Sequence, residues 1–317
     1  MGGTFVISLD FELLWGLSGR TERQTEEYLP HIEGAQNALS LICGVLARYG
    51  IKSTVAFVGG MNFSGMEEFL DAAPACRPAY SEPSLLSYES SVKFARSHDA
   101  GHLLFCPEAV ARLAENPLVE PATHTFSHYY CLKEGQTPEQ FEADIKTAVG
   151  EARKSGMEIK TIIFPRNQVS DECLDICARY GITHYRGYPD NCYYHAGATG
   201  FAMWFYKAMR ILDTYIPLSG HNGTAVGHRR GLTNVQSSRF LRPYSARLAL
   251  LEPLKLRRVL CSIEAAARND KIYHLWWHPH NFGCDTEKNL NQLEKICQCF
   301  DRCRDKYGMQ SKFIKEL

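Results

Sequence analysis

The stretch TFVISLDFELLWG, residues 4–16, joins an apolar run to two carboxylates, Asp10 and Glu12. Its first residues are β-branched, aromatic and aliphatic, which is typical of a buried strand. Side chains two positions apart in a strand point to the same face. We therefore predict that the first strand of this protein presents both carboxylates together at its carboxyl end.

Strand patterns alternate with helix patterns along most of the chain. Further strand patterns lie at residues 51–60, 118–126, 160–165, 182–187 and 271–277. Between them lie amphipathic stretches, one of which begins with the capping box Thr137-Pro138-Glu139-Gln140. Repeated strand-then-helix order predicts an α/β fold with a parallel sheet, either closed as a (β/α) barrel or open and doubly wound.

The domain organisation is predicted to be simple. We see no internal repeat, low-complexity tract or linker, so we expect one domain over residues 1–317. Residues 188–235 are rich in Gly, Asn and Tyr and show no sustained period, which predicts long irregular loops. In a compact domain such loops are usually functional.

Composition excludes several classes of protein. Of the 317 residues, 45% are apolar and 22% charged, and Lys plus Arg equals Asp plus Glu at 35 each. This balance favours neither nucleic acid nor an anionic membrane surface as a partner. No apolar stretch approaches the roughly 18 residues of a membrane span, and no leader pattern is present, so we expect a cytoplasmic protein. The 12 cysteines are then expected to be reduced thiols.

Unusual polar residues follow four of the predicted strands. In parallel α/β folds the carboxyl ends of the strands share one rim, where active sites are built. The residues at these ends are Asp10, Glu12, His124, His128, Arg166, His278 and His280. We therefore expect residues far apart in the sequence to converge on one pocket.

These residue types fit metal-assisted hydrolysis of an amide or ester. Two imidazoles and a carboxylate, from His124, His128 and Glu12, are able to bind a divalent cation and leave a position open for water. The cation lowers the pKa of that water, and a second carboxylate, Asp10, accepts its proton. On the opposite side His278 protonates the leaving group. Taken singly, each element also has a structural explanation, such as a helix cap, a salt bridge of Arg166 or a pair of buried histidines.

The motifs SLDFE, KSTVAFVGG, HTFSH, FPRNQ and HLWWHPH, in this order, resemble the polysaccharide deacetylase family, also called the NodB-homology or carbohydrate esterase 4 family. The resemblance covers most of the chain. It implies a distorted, seven-stranded (β/α) barrel of a single domain. It also implies a hydrolase that removes an N-acyl group, most often acetyl, from an amino-sugar substrate by means of one divalent metal ion, with zinc favoured over cobalt, manganese or nickel.

The resemblance also implies a role for each matching residue. Asp10 matches the catalytic base, His124 and His128 match the metal ligands, and His278 matches the general acid. Arg166 matches the arginine that orients the base, although FPRNQ does not keep the family's Arg-Pro-Pro order. The family usually has two adjacent aspartates, whereas Phe11 separates Asp10 from Glu12, the expected third metal ligand. Further residues expected to line the substrate pocket are Tyr129, Arg186, His280 and Asn167.

Three hypotheses about function remain open at this stage. The first is a cytoplasmic metal-dependent deacylase whose sugar is carried by a nucleotide or a lipid. The second is a metal-free amidohydrolase of a small cyclic ureide or amide, because some relatives with similar motifs lack the metal. The third is a carbohydrate-binding pseudoenzyme that keeps the pocket without turnover.

Overall fold

The computed structural model describes residues 2–188 and 200–317, with the side chains of residues 200–203 left undescribed. Its described part contains one sheet of ten strands and eleven α-helices. The strands are β1 (Thr4–Phe11), β2 (Ser53–Phe57), β3 (Val119–Thr123), β4 (Thr161–Ile162), β5 (His184–Tyr185), β6 (Gly227–Arg229), β7 (Leu232–Asn234), β8 (Arg239–Phe240), β9 (Ile272–Trp277) and β10 (Gln310–Ser311).

Helices connect most of the strands, as the alternating pattern predicts. They are α1 (Glu22–Glu26), α2 (Leu29–Glu33), α3 (Ala35–Arg48), α4 (Met66–Ala72), α5 (Ser87–Ser97), α6 (Pro107–Glu115), α7 (Pro138–Lys154), α8 (Asp171–Arg179), α9 (Gly200–Tyr215), α10 (Glu252–Arg268) and α11 (Thr286–Tyr307). The predicted capping box of α7 is confirmed, because Thr137 Oγ1 accepts from the Gln140 amide and Gln140 Oε1 accepts from the Thr137 amide.

The sheet has the strand order β6-β7-β5-β4-β3-β2-β1-β9-β8, with β10 beside β1. All the pairs are parallel except β6 with β7. In a flat sheet β1 and β5, four strands apart, would be separated by about 19 Å. Arg186, which follows β5, nevertheless contacts Asp10 of β1 at 2.6 Å. The sheet is therefore curled into a half-barrel with its inner face enclosed.

One continuous stretch, residues 232–240, brings the two sides of this curled sheet together. Its first half forms β7 and pairs with β5, while its second half forms β8 and pairs with β9. Between the two halves, the Ser237 amide donates to Gly187 and the Ser238 amide donates to His274. The backbone of this stretch thus bridges strands at opposite sides of the half-barrel.

The strand number and the loop prediction differ from the sequence expectations. We predicted seven strands, and the described residues form ten because short β6 and β10 are added and residues 232–240 are divided into two. Residues 188–235 were expected to be irregular, but they contain helix α9 and the β6–β7 hairpin. Residues 189–199 lie outside the described part of the chain.

The far end of the half-barrel is filled by residues that follow β10. Ile314 is fully buried against inward-facing small and aliphatic side chains of the strands. The Ile314 amide donates to Thr54 Oγ1 at 3.1 Å, and the Lys315 amide donates to Glu120 at 3.3 Å. Glu120 also accepts from the hydroxyls of Thr54 and Thr161, so its buried carboxyl is fully paired. This segment closes the end of the sheet that is remote from the strand carboxyl termini.

Two further expectations concern the chain as a whole. In the part of the chain that the structure describes, no helix combines the length and apolar character that crossing a membrane requires. The eleven cysteines in this part are all free thiols, and Cys192 lies outside it. The cysteines of α8 and α11 are buried on the inner faces of these helices, as predicted.

We expect Ile314→Ala to lower the free energy of unfolding by about 2–5 kcal/mol, because it leaves a cavity at the closed end of the half-barrel. Chemical denaturation of the purified variant measures this change. Leu250→Ala is the matched control, because Leu250 is 94% exposed, and it should change stability by no more than about 0.5 kcal/mol. Equal effects of the two substitutions would contradict a packing role for Ile314.

Candidate functional site

The carboxyl ends of β1, β3, β4, β5 and β9 meet at the open rim of the half-barrel. Asp10 is the penultimate residue of β1, and Glu12 follows at the start of the 3₁₀ helix Leu13–Leu17. His124 follows β3 directly, and His278 follows β9. These four side chains, predicted from the sequence to converge, do lie together.

The Glu12, His124 and His128 side chains form one compact group. Glu12 Oε2 lies 3.2 Å from His124 Nε2 and 3.0 Å from His128 Nε2, and all three side chains are buried. Ligands about 2.1 Å from a tetrahedral cation lie about 3.4 Å apart, so this spacing fits a zinc-sized ion. The two nitrogens and one oxygen are also the donor types that such ions prefer.

Hydrogen bonds on the outer side of each imidazole set its orientation. His124 Nδ1 lies 2.7 Å from the Ile163 carbonyl oxygen, which only accepts, so Nδ1 carries the proton in the neutral ring. Its Nε2 then turns a lone pair towards the Glu12 carboxylate. His128 Nδ1 contacts the Tyr130 hydroxyl at 3.1 Å. Two groups with electron pairs facing each other require a cation between them, either a proton or a metal.

The ionisation of Glu12 and His128 suits a divalent cation. Burial lowers the pKa of His128 to about 4, although Glu12 opposes that shift, so the ring is neutral near pH 7. Burial raises the pKa of Glu12, but the neighbouring imidazoles outweigh it and hold the pKa well below its ordinary value. The site therefore offers a carboxylate and neutral imidazole, which are the forms that bind a divalent cation.

The backbone around these residues is strained. Thr125 and His128 have φ values of 66° and 61°, and Leu13, next to Glu12, has φ of 44°. Non-glycine residues rarely adopt such values, and they cluster at functional sites because the surrounding structure must enforce them. The conformation at residues 125–128 must therefore be held by contacts with another part of the fold.

Asp144 on helix α7 provides these contacts. Its carboxyl accepts from the amides of Phe126 and Ser127, at 2.6 and 3.1 Å, and from the Ser127 hydroxyl. Burial raises the pKa of Asp144 to about 6 in spite of these bonds. We did not predict this residue, although an aspartate between the apolar positions Phe141 and Ile145 is a detectable signal in the sequence.

Asp10 is paired with Arg186, not with Arg166. The Arg186 guanidinium donates to both Asp10 oxygens, at 2.6 and 2.7 Å, and both side chains are buried. Ser8 and Asn167 Oδ1 accept from the same guanidinium, which also stacks 4.1 Å from the Trp276 ring. Burial raises the pKa of Asp10, but Arg186 outweighs it, so the pKa lies below its ordinary value.

The predicted contact of Arg166 with Asp10 is wrong. Arg166 lies in the 3₁₀ turn Pro165–Asn167 with φ of 52°, and it donates to the Ser18 carbonyl at 2.7 Å. Its guanidinium stacks on the Tyr130 ring, 4.5 Å from the centroid. The left-handed turn after β4 directs the side chain to this neighbouring loop, while the end of β5 supplies the arginine for Asp10.

Two residues expected to line the pocket have other partners. Tyr129 is fully buried in the core, and its hydroxyl contacts Gln136 and the Thr137 carbonyl. Asn167 holds Arg186 with its side chain, and its amide donates to the Phe164 carbonyl, which leaves this amide unavailable for an oxyanion. The left-handed backbone at His128 turns the neighbouring Tyr130, rather than Tyr129, to the site.

His278 and His280 complete the rim. His278 Nε2 lies 3.4 Å from Glu12 Oε1 and 3.8 Å from Asp10 Oδ2, and it is the most exposed side chain among these three. His280 stacks against His278 with ring centroids 4.8 Å apart. Burial lowers the pKa of His280 to about 3, so this ring is neutral. Both residues therefore lie where the sequence predicted, with His278 on the open side.

Comparison with known proteins identifies the family. The model of the polysaccharide deacetylase family matches residues 28–185, which include His124, His128 and Arg166 and the elements from α2 to β5. Asp10, Glu12 and His278 lie outside the matched span. A search of curated proteins found no significant match.

Solved structures show the same fold at low sequence identity. A candidate polysaccharide deacetylase from Mycobacterium smegmatis has a TM-score of 0.59 at 12% identity, covering 100% of this chain and 89% of that one. An α-amylase from Thermotoga maritima has a TM-score of 0.57 at 12% identity, covering 99% and 73%. A GH57 branching enzyme from Thermococcus kodakaraensis has a TM-score of 0.56 at 11% identity, covering 100% and 70%.

At these identities the likeness to solved structures concerns the fold alone. The family match and the ordered motifs go further, because they include the two histidines that face Glu12. The chain therefore belongs to the polysaccharide deacetylase (NodB-homology, carbohydrate esterase family 4-like) family.

Proposed function

We propose that the chain, acting as one catalytic domain, is a metal-dependent hydrolase that removes an N-acyl group, most often acetyl, from an amino-sugar substrate. The observation that carries this proposal is the Glu12 carboxylate facing two imidazole nitrogens, beside a second carboxylate held by an arginine. Family membership supports the reaction class, a hydrolase acting on carbon–nitrogen bonds other than peptide bonds.

Glu12, His124 and His128 are the residues that would hold the metal, with zinc favoured by the mixed nitrogen and oxygen donors. When bound, a divalent cation lowers the pKa of a water molecule and polarises the acyl carbonyl oxygen. The Ile163 carbonyl and the Tyr130 hydroxyl support the two rings from behind. Such outer partners fix ring orientation and strengthen a metal site.

Asp10 is the proposed general base. The bidentate contact with Arg186 fixes its carboxylate and keeps it ionised, so that it can accept a proton from the attacking water. His278 is the proposed general acid. It lies on the exposed side of the two carboxylates, where it can protonate the departing amine. His280, stacked on the ring of His278, restricts its movement.

The two alternative hypotheses receive less support. In a metal-free amidohydrolase two buried imidazoles and a carboxylate would be grouped at 3.0–3.2 Å without a metal to bind, although this donor set is one that divalent cations prefer. A pseudoenzyme would not need a separately oriented base and acid beside the ligand group. That a nucleotide or a lipid carries the sugar stays part of the proposal.

We expect purified protein to contain about one divalent metal per chain and to release acetate from N-acetylated amino sugars in a chelator-sensitive reaction. His128→Ala should remove the metal and lower kcat by at least 10²-fold, because two ligands hold a cation far more weakly than three. Elemental analysis and an acetate assay measure the two effects. Full activity of metal-free protein would contradict the metal part of the proposal.

We expect Arg186→Met to lower kcat on the order of 10²-fold and to move the acid limb of the pH profile of kcat/KM to higher pH. Asp10 acts as a base only when ionised, so activity is lost as pH falls through its pKa. Arg186 lowers that pKa, and its removal raises it. Arg166→Met is the matched control and should leave the acid limb in place. A shift with Arg166→Met alone would restore the assignment made from the sequence.

We expect Gly16→Ala to weaken metal binding by about 10–100-fold, because a methyl group at Gly16 overlaps the Glu12 carboxyl group. Isothermal titration with zinc measures the dissociation constant. Gly44→Ala in α3 is the matched control, since a methyl group there meets no atom within 4 Å, and it should leave binding unchanged. Unchanged affinity in Gly16→Ala would exclude Glu12 as a ligand.

A further inference from the structure

Helix α9 buries two polar residues near its carboxyl end and exposes large apolar ones. Asp213 and Thr214 are buried, whereas Trp204, Phe205 and Leu212 are 62%, 50% and 44% exposed. A surface helix ordinarily shows the opposite arrangement. The apolar face of α9 therefore has no covering partner within the described residues.

Ion pairs fix this unusual orientation. Asp213 lies 3.3 Å from Arg239 and 3.6 Å from Arg258, and all three side chains are buried. The Asp213 carboxyl also accepts from the amide and the hydroxyl of Ser219. Rotating α9 to bury its apolar face would leave two buried guanidinium groups without their carboxylate, which is strongly unfavourable. The exposed apolar face is thus a stable property of the fold.

A second apolar segment lies beside α9. Residues 248–254 expose Leu250 almost completely and Leu254 to about half. The two segments are adjacent, because Arg242 Nε donates to Thr214 Oγ1 at 3.0 Å and α10 packs against α9. Among the described residues twelve large apolar side chains are exposed, and ten of them lie between residues 204 and 254. A monomeric protein rarely concentrates exposed apolar groups in this way without a function for them.

The exposed charges within these segments and their sequence flanks are all positive. In residues 204–218 and 246–257 the exposed charged side chains are Lys207, Arg247 and Arg257. The acidic residues of the same ranges, Asp213 and Glu252, are buried in ion pairs. Apolar side chains with basic residues at their edge are typical of surfaces that lie in the headgroup region of anionic membranes. Positive charges facing each other would oppose a second copy of this chain.

We propose that the apolar surface formed by residues 204–218 and 248–254 binds peripherally to an anionic phospholipid membrane. Along the chain the surface follows the rim, since Phe240 contacts the His278 ring with centroids 5.8 Å apart and the 3₁₀ helix Ala246–Leu251 begins six residues later. The chain as a whole has a net charge of zero, so attraction to lipid arises from this local distribution alone. The inference concerns binding and does not depend on the proposed reaction.

Sedimentation of the full chain with vesicles tests the proposal. We expect binding to vesicles of phosphatidylglycerol and phosphatidylcholine in equal parts, and weaker binding to phosphatidylcholine alone. A Trp204→Ser, Leu250→Ser double variant should lower the partition coefficient at least tenfold. A Lys207→Gln, Arg247→Gln, Arg257→Gln variant should lose the preference for the anionic vesicles. Binding measured at rising salt concentration should weaken, because salt screens the charged part of the interaction.

Leu41→Ser is the matched control, since Leu41 is an exposed leucine on α3 away from this surface, and it should bind like the wild type. Thermal unfolding of every variant checks that the fold is kept. Failure of the wild type to bind either kind of vesicle would overturn the proposal. So would wild-type binding by the double variant. A dimer in light scattering that the double variant dissociates, without vesicle binding, would assign the surface to a second copy instead.

Discussion

The buried contact between Arg186 and Asp10 is the interaction on which the rest of this structure depends. It joins the ends of two strands that are four positions apart in the sheet, so it can form only when the sheet is curled. Two charges at this depth are tolerable because each oxygen of Asp10 has a donor and the guanidinium has three further partners. The fold and the proposed base are therefore determined by one pair of side chains.

The proposed ligand group is likewise held in place by contacts with other parts of the chain. Asp144 holds residues 126 and 127 in place, and the strained backbone at Thr125 and His128 follows from that attachment. Ile163 and Tyr130 then fix the rings from behind. Strain of this kind costs of order 1–3 kcal/mol at each residue, and the surrounding hydrogen bonds offset it. The site is thus held by backbone contacts as well as by its own side chains.

The sequence predicted the parts of this arrangement that depend on strand order. Asp10, Glu12, His124 and His278 follow apolar runs, and the topology of parallel α/β folds brings such positions together. The sequence did not distinguish Arg166 from Arg186, because both follow a strand and only the backbone turn after β4 decides where each points. Tyr129 was expected to line the pocket, but it is buried in the core, and the conformation of His128 turns the Tyr130 ring to the site.

Helix α9 was missed because its residues do not follow the usual rule of apolar inside and polar outside. Asp213 is buried because it pairs with Arg239 and Arg258, and both arginines lie more than 20 residues further along the chain. Net charge was equally uninformative, because the zero total hides a local excess of positive side chains. Contacts distant in sequence are what single-sequence reasoning cannot supply.

The pairing of β10 with β1 has a consequence for folding. Thr4 and Gln310 are neighbours in the sheet, and Ile314 fills the end of the half-barrel against residues of β1 and β2. This contact joins positions about 300 residues apart. The entropy cost of closing so long a loop grows only slowly with its length, but contacts between distant residues slow folding. During synthesis β1 is therefore made long before β10. Until residues 310–314 have left the ribosome, the apolar inner surface that Ile314 covers is exposed to other chains and to chaperones.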